Sequence, residues 1–200
     1  MKRILNVFLI TALLVSAAGC DKGLEGLNVN KVSPTTLDPA LMLNQAMINF
    51  SFPFKTLVFD IGAVQQIVTP NGGVVAGANF NQDNRDVTTQ PVWAVYYQGV
   101  IKNTHDAIVK AKDMSSRTNM YNMARIFQAY AFMVLTDEYG DIPYVQGGAG
   151  FTDQVFFPKY DKQSDIYTDI IKELTEASAA LNAGGTIESS DLLYAGNIAR

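Results

Sequence analysis

The sequence predicts an all-α fold. Between residues 38 and 181, apolar residues recur at intervals of three and four in five separate stretches, which is the period of a helix with one buried face. Glycine, proline and asparagine cluster between those stretches, where they favour turns over helix. One short extended segment, "DIPYV" at residues 141–145, is predicted where Pro143 prevents further helix.

The first two helices are predicted from their ends. Asp38 is an N-cap acceptor followed by Pro39 at the first helical position, and Pro53 ends this helix. The second helix is predicted over residues 55–68, where apolar residues recur at three and four, and Pro70 ends it.

The third and fourth helices form the predicted centre of the fold. The third runs from about Gln90 to Lys112 and the fourth from about Asn119 to Tyr139. Their connection is short, so the two helices should be antiparallel. The fourth is apolar on nearly every side, and we therefore expect it to pack against more than the third helix. Gly140 is predicted to close it as a left-handed cap.

The fifth helix is predicted from Ser164 to about Leu181, and the glycine pair that follows stops it. A new apolar pattern begins in "SSDLLYAGNIAR" at residues 189–200. We therefore expect residues 37–200 to be the N-terminal part of a longer helical domain with long loops.

The N-terminus has the three-part order of a secretory signal. Two basic residues precede a mostly apolar run at residues 4–15, which is too short to span a bilayer, and small residues then lead to Cys20. This order predicts a lipoprotein signal peptide at residues 1–19, with the single cysteine of the chain carrying the lipid. Residues 20–36 are polar and lack periodicity, which indicates a flexible tether. The alternative is an ordinary signal peptide followed by a free, buried cysteine.

Charge and composition limit the partners. The formal net charge of −4 becomes about −6 once the signal and its two basic residues are removed. No basic patch points to nucleic acid, and an acidic surface does not favour anionic lipid headgroups. Membrane attachment is therefore expected through the lipid on Cys20. No cofactor is predicted.

Four stretches of the chain resemble the SusD/RagB family of nutrient-binding outer-membrane lipoproteins. They are "NVNKVSPTTLDPALML" after the signal, "ARIFQAYAFMVLTDEYGDIPY" with its Tyr-Gly-Asp-Ile-Pro turn, "SDIYTDIIKELTEASAAL", and "DLLYAGNIAR". The resemblance implies a helical scaffold with tetratricopeptide-like helix pairs, on the outer membrane and exposed at the cell surface. It also implies a SusC-type TonB-dependent transporter as partner, which receives glycans or other nutrients from the lipoprotein. Family members are considerably longer than this chain.

The loop at residues 71–87 holds the main candidate ligand-binding residues. A sugar-binding site needs flat aromatic faces, together with amides, carboxylates or arginine for the hydroxyls. The stretch "NFNQDNR" offers both kinds of group: Asn79, Phe80, Asn81, Asp83 and Arg85. The alternative is a solvated, turn-rich loop. An EF-hand calcium loop is excluded, because Asn84 stands where glycine is needed and Gln90 where the bidentate glutamate belongs.

Two groups of aromatic residues are further candidates. Trp93 lies beside the loop and is a candidate ligand-binding residue, although its helical spacing with Tyr96 and Tyr97 favours a role in core packing. The run "VFFPKY" at residues 155–160 is either an exposed aromatic ledge or a loop pinned onto the core, and the second interpretation is favoured.

No catalytic constellation is predicted. Asp137, Glu138 and Asp141 form a tight carboxylate cluster, but neighbouring residues at a helix end project in different directions, so we interpret them as structural. His105 is the single histidine and has no second ligand or nucleophile nearby in the sequence. The favoured hypothesis is a non-enzymatic binding protein. The alternatives are a surface glycoside hydrolase with its acids further along the chain, and a helical adhesin or scaffold.

Overall fold

The computed structural model describes residues 37–51, 90–150 and 152–199. Its helices in chain order are α1 (Pro39–Ser51), α2 (residues 90–112, in the segments Gln90–Val95, Tyr96–Ile101 and Lys102–Lys112), α3 (Thr118–Tyr139) and α4 (Gln163–Ala179). A 3₁₀ turn at Ser115–Arg117 joins α2 to α3. Within the described ranges the extended pairing is a single antiparallel bridge between Ile142 and Asp161, so the all-α prediction is confirmed there. The predicted signal peptide, tether and second helix lie outside the described residues.

The start of α1 has the predicted cap. The Asp38 side chain accepts the backbone N–H of Ala40 at 2.8 Å, and its carbonyl accepts the N–H of Leu41 at 3.0 Å. The same carboxylate accepts two hydrogen bonds from the guanidinium of Arg117, at 3.0 and 3.1 Å. These contacts with Arg117, and then the bond from Ala40, hold the pKa of Asp38 below its usual range.

Helix α3 lies at the centre of the described fold and packs against α1, α2 and α4. It is antiparallel to α4, because the Asn119 side chain at its start bonds the carbonyl of Asn182 while Gln163 at the start of α4 bonds the carbonyl of Thr136. The expectation that this helix has several neighbours is therefore confirmed. Its nearly all-round apolar surface is used to bury residues on more than one face.

The middle of α2 is a π-helix at Tyr96–Ile101, which differs from the uniform α-helix predicted from the sequence. The Gly99 carbonyl accepts hydrogen bonds from two asparagine side chains, Asn49 of α1 at 3.0 Å and Asn103 at 2.7 Å. A Cβ on Gly99 would lie 2.7 Å from Asn49 Nδ2, so glycine permits α1 to approach this closely. Because the contact with Asn49 joins residues 50 positions apart, the helical period of α2 does not predict it.

The end of α3 depends on Gly140. Its N–H donates to the Thr136 carbonyl at 2.8 Å, and the Thr136 hydroxyl donates to the Gly140 carbonyl at 2.6 Å. The predicted positive φ is confirmed at +75°, but ψ is −119°, which lies outside the left-handed helical region. The backbone here is therefore one that glycine adopts and other residues avoid.

Replacing Gly140 with alanine should destabilise the domain by about 1–3 kcal/mol, through backbone strain. No atom lies within 4 Å of the Cβ that would be added, so a steric clash does not contribute. Urea denaturation of both proteins measures the difference. The matched control is Gly150→Ala, where the nearest atom is a carbonyl oxygen at 3.6 Å and little change is expected. Equal effects of the two substitutions would contradict the prediction.

Candidate functional site

An aromatic cluster surrounds Trp93 at the start of α2. The Trp93 ring lies 4.7 Å from that of Tyr97, and the Tyr139 ring meets it edge-on at 5.1 Å. The Tyr160 ring stacks nearly parallel to it, at 6.2 Å and 19°. Because Trp93 is only partly buried and Tyr160 is 65% exposed, the cluster reaches the surface.

Backbone contacts hold the two connecting segments of the cluster in place. The Tyr97 hydroxyl donates to the Pro143 carbonyl at 2.8 Å, which fastens the "DIPYV" turn to α2. Ile142 and Asp161 exchange backbone hydrogen bonds at 3.2 and 2.9 Å, and the Asp161 carboxylate accepts the N–H of Val145 at 2.8 Å. The segment that carries Tyr160 is therefore fixed before any ligand arrives.

The aromatic side chains of "VFFPKY" are exposed, so the favoured prediction that they pin the loop onto the core was wrong. Phe156 is 68% exposed, Phe157 is 95% exposed and Tyr160 is 65% exposed. Backbone hydrogen bonds perform the pinning instead, since the Lys159 N–H donates to the Gln146 side chain at 2.9 Å. We call Phe156, Phe157 and Tyr160 the aromatic ledge.

The structure separates the aromatic residues that the sequence grouped on α2. Tyr96 is buried in the core, as the helical spacing predicted, whereas Trp93 and Tyr97 are partly exposed. Burial and the nearby Tyr160 and Asp161 raise the pKa of Tyr97, so its phenol stays protonated and donates at neutral pH. A ligand-binding role for Trp93 stays a prediction. The other candidates, Asn79, Phe80, Asn81, Asp83, Arg85 and Cys20, lie outside the described residues.

Tyr139 was not considered in the sequence analysis, and an exposed ledge at residues 155–160 was considered there but not favoured. The signal for the ledge was present, because Phe156, Phe157 and Tyr160 stand beside a proline in a stretch without helical period. Tyr139 lacks such a signal, since it belongs to the end of an apolar helix. Its approach to Trp93 follows from the antiparallel packing of α2 and α3.

The carboxylate cluster at the end of α3 has structural partners. The Tyr167 hydroxyl donates to Asp137, and Asp141 accepts the backbone N–H of Gln163 at 2.9 Å, which caps α4. His105 Nε2 lies 3.0 Å from the Thr152 hydroxyl. Asp137, Asp141 and His105 therefore have partners within the protein, while a structural role for Glu138 stays a prediction. Among the described residues, no three His, Cys, Asp or Glu side chains are placed to hold a metal ion.

Glu138→Gln should raise the free energy of unfolding at neutral pH by about 0.5 kcal/mol, because a carboxylate is unfavourable at a helix C-terminus. Partial burial, and then the neighbouring Asp137, raise the pKa of Glu138 above its usual value. Glu138 therefore contributes more stability when protonated, and that contribution is lost as the pH rises through the raised pKa. Urea denaturation at neutral pH and below about pH 4 should show a gain that disappears in acid.

The control for Glu138→Gln is Asp165→Asn in the first turn of α4, where a negative charge is favourable. This variant should be less stable than the wild type at neutral pH. The same sign of change in both variants would contradict the electrostatic explanation.

The fold and the site define a class of protein: an α-helical scaffold that carries an exposed aromatic surface. The chain belongs to the SusD/RagB family, since the family model SusD-like_2, described as "Starch-binding associating with outer membrane", matches residues 30–200. No curated protein gives a significant match. Among the described residues, no helix is long and apolar enough to cross a bilayer.

Several solved structures resemble the chain, and two of them show the extent of the similarity. A SusD-like protein designated Bacteroidetes AC2a is 31% identical with a TM-score of 0.64, and the match covers 82% of this chain and 30% of that one. A chitin-binding protein is 30% identical with a TM-score of 0.69, and the match covers 81% of this chain and 35% of that one. The chain thus spans about a third of the length of these relatives.

Proposed function

We propose that the protein is a lipid-anchored outer-membrane protein that binds glycans at the cell surface and delivers them to a SusC-type TonB-dependent transporter. The observation that carries this proposal is the stacking of Tyr160 on Trp93, together with the exposure of Phe156 and Phe157 on the loop that carries Tyr160. The descriptions of the family and of one structural relative, starch-binding and chitin-binding, support a glycan as ligand.

This aromatic surface suits binding of a glycan without catalysis. A flat aromatic face packs against the apolar face of a pyranose ring, and the affinity comes from contact area. Two carboxylates of the cluster at the end of α3 already have structural partners, Asp137 with Tyr167 and Asp141 with Gln163. No bond of the glycan is made or broken in this proposal. Starch and chitin oligosaccharides are the first ligands to test, because the relatives' descriptions name them.

Attachment through Cys20 is the second part of the proposal and rests on the N-terminal sequence. Mass spectrometry of the N-terminal peptide from membrane-extracted protein should find an acylated cysteine at the new N-terminus. An unmodified thiol, in protein recovered from the soluble fraction, would contradict the lipid anchor.

Partnership with a transporter is tested by extraction from outer membranes in mild detergent, followed by affinity purification of the tagged full-length protein. A large TonB-dependent transporter should co-purify in near-equal amount. The Tyr160→Ala variant should still bind the transporter but should lose glycan binding, since in this proposal the aromatic ledge contacts the glycan. Recovery of the protein alone would contradict delivery to a transporter and would favour an adhesin or scaffold.

A further inference from the structure

A pocket between α2, α3 and α4 lies apart from the aromatic ledge. It has a volume of about 230 Å³, and its lining includes Arg125, Gln128, Phe132, Tyr144, Asp169 and Glu173. Sites for drug-sized ligands usually have volumes of about 300–1,000 Å³. The pocket is therefore suited to one small ring rather than to a polymer segment.

Contacts within the protein fix the polar groups of this pocket. Arg125 binds Glu173 through two parallel hydrogen bonds, at 2.8 and 3.1 Å, in the geometry that holds a guanidinium most firmly. The Tyr144 hydroxyl donates to one oxygen of Asp169 at 2.8 Å. Side chains held in this way lose little conformational freedom when a ligand binds.

Hydrogen-bonding capacity remains on two of the lining residues. The Gln128 amide donates to the Thr104 hydroxyl at 3.1 Å, while its carbonyl oxygen has no hydrogen-bond partner within the described ranges. Within the described part of the chain, the cation paired with the second Asp169 oxygen is Lys172, whose Nζ lies 4.0 Å away, which is longer than a hydrogen bond. Two acceptors and one further amide N–H thus remain, and sugar hydroxyls both donate and accept.

An aromatic wall and the charge of the pocket further limit which ligands it can bind. The Phe132 and Tyr144 rings meet edge-to-face at 4.7 Å and give the pocket an apolar side. Among the side chains that line the pocket, Glu173 neutralises Arg125 and Asp169 adds a negative charge, which Lys172 outside the lining balances only in part at 4.0 Å. A neutral ring is therefore favoured over an anionic one.

We infer that this pocket is a second sugar site, which binds the ring of one neutral hexose. The choice of a sugar as ligand rests on the proposed function, but the site does not, because its lining shares no residue with Trp93 or the aromatic ledge. The ledge then suits the extended chain of a glycan, and the pocket suits a single residue or a chain end.

Isothermal titration calorimetry on the full chain tests the inference. The probes are D-glucose, D-galactose, D-mannose and N-acetyl-D-glucosamine, with D-glucuronate as the anionic comparison. At least one neutral hexose should bind, and glucuronate should bind at least tenfold more weakly than it. Gln128→Leu and the conservative Asp169→Asn should each weaken hexose binding at least tenfold, while Tyr160→Ala should leave it unchanged.

Two results would overturn the inference: no binding of any of the four hexoses, or hexose binding that Tyr160→Ala abolishes and Asp169→Asn leaves intact. Circular dichroism of each variant verifies folding, and Asp169→Asn keeps the acceptor for the Tyr144 hydroxyl. A parallel titration with starch and chitin oligosaccharides separates the two proposals. Hexose binding without oligosaccharide binding to the ledge would contradict the proposed function but would still support the inference about the pocket.

Discussion

Arg117→Ala should destabilise the domain by about 3 kcal/mol, because it leaves the Glu188 carboxylate buried without its cation. The Glu188 side chain is 6% exposed and binds Arg117 at 2.7 and 2.9 Å. The same guanidinium also binds Asp38 at the N-cap of α1. One residue therefore joins the start of α1, the α2–α3 connection and the segment after α4.

Chemical denaturation of both proteins measures this loss. Lys112→Ala is the matched control, since it removes one positive charge from an exposed position at the end of α2, and a change within about 0.5 kcal/mol is expected. The stability of Arg117→Lys should fall between those of the wild type and Arg117→Ala. Lysine keeps the positive charge but lacks the planar guanidinium that binds Glu188 and Asp38 at the same time. A change for Arg117→Ala as small as that for Lys112→Ala would contradict the account.

The Arg117 contact also gives stability a dependence on pH. The folded-state pKa of Asp38 is lowered, so its contribution is present above its unfolded pKa of about 4 and is lost as the pH falls through the lower folded value. Wild-type protein should therefore lose more stability than Arg117→Ala on acidification below about pH 4. Parallel loss in the two proteins would show that Asp38 does not draw its stability from Arg117.

Trp93→Ala should weaken glycan binding by at least thirtyfold, which corresponds to about 2 kcal/mol for loss of an aromatic anchor at the binding surface. The substitution removes the ring on which Tyr160 stacks and with which Tyr97 and Tyr139 pack. Trp93→Phe keeps an aromatic ring and should recover part of the affinity. Calorimetry with starch and chitin oligosaccharides measures the change.

Tyr194→Ala is the control for Trp93→Ala. Tyr194 is also a large, half-exposed aromatic residue, but it lies on the segment after α4 and has no ring contact with the cluster. Its removal should leave glycan affinity unchanged. Equal losses of affinity in both variants, or full affinity in Trp93→Ala, would show that the aromatic cluster is not part of the binding site.

Local signals predicted well the helices that lie within the described residues. Asp38 and Pro39 begin α1 at the predicted residue because a cap and a fixed φ act within a single turn. The predicted ends of α2, α3 and α4 likewise lie within one or two residues of those observed. The π-helix was missed because periodicity does not distinguish it from an α-helix, and the contact between Gly99 and Asn49 of α1 is likewise absent from the local pattern.

The candidate site was predicted only in part, for the same reason. Trp93 was found because it follows a polar loop directly, whereas the stacking of Tyr160 on it joins residues from two distant segments. Composition alone favoured burial of Phe157, but the side chain is exposed, on a loop whose Lys159 N–H is bonded to the Gln146 side chain. Asp169 and Glu173 are one helical turn apart, but their meeting with Gln128 and Phe132 depends on how α3 packs against α4.

The most direct test of the central claim is to incubate the membrane-extracted protein with defined starch and chitin oligosaccharides, and to measure binding and chain length in the same sample. The account predicts saturable binding of oligosaccharide, no change in its length, and loss of binding in Tyr160→Ala. Shortened oligosaccharides would establish a hydrolase instead. Absence of binding to either glycan, or full binding by Tyr160→Ala, would contradict capture by the aromatic ledge.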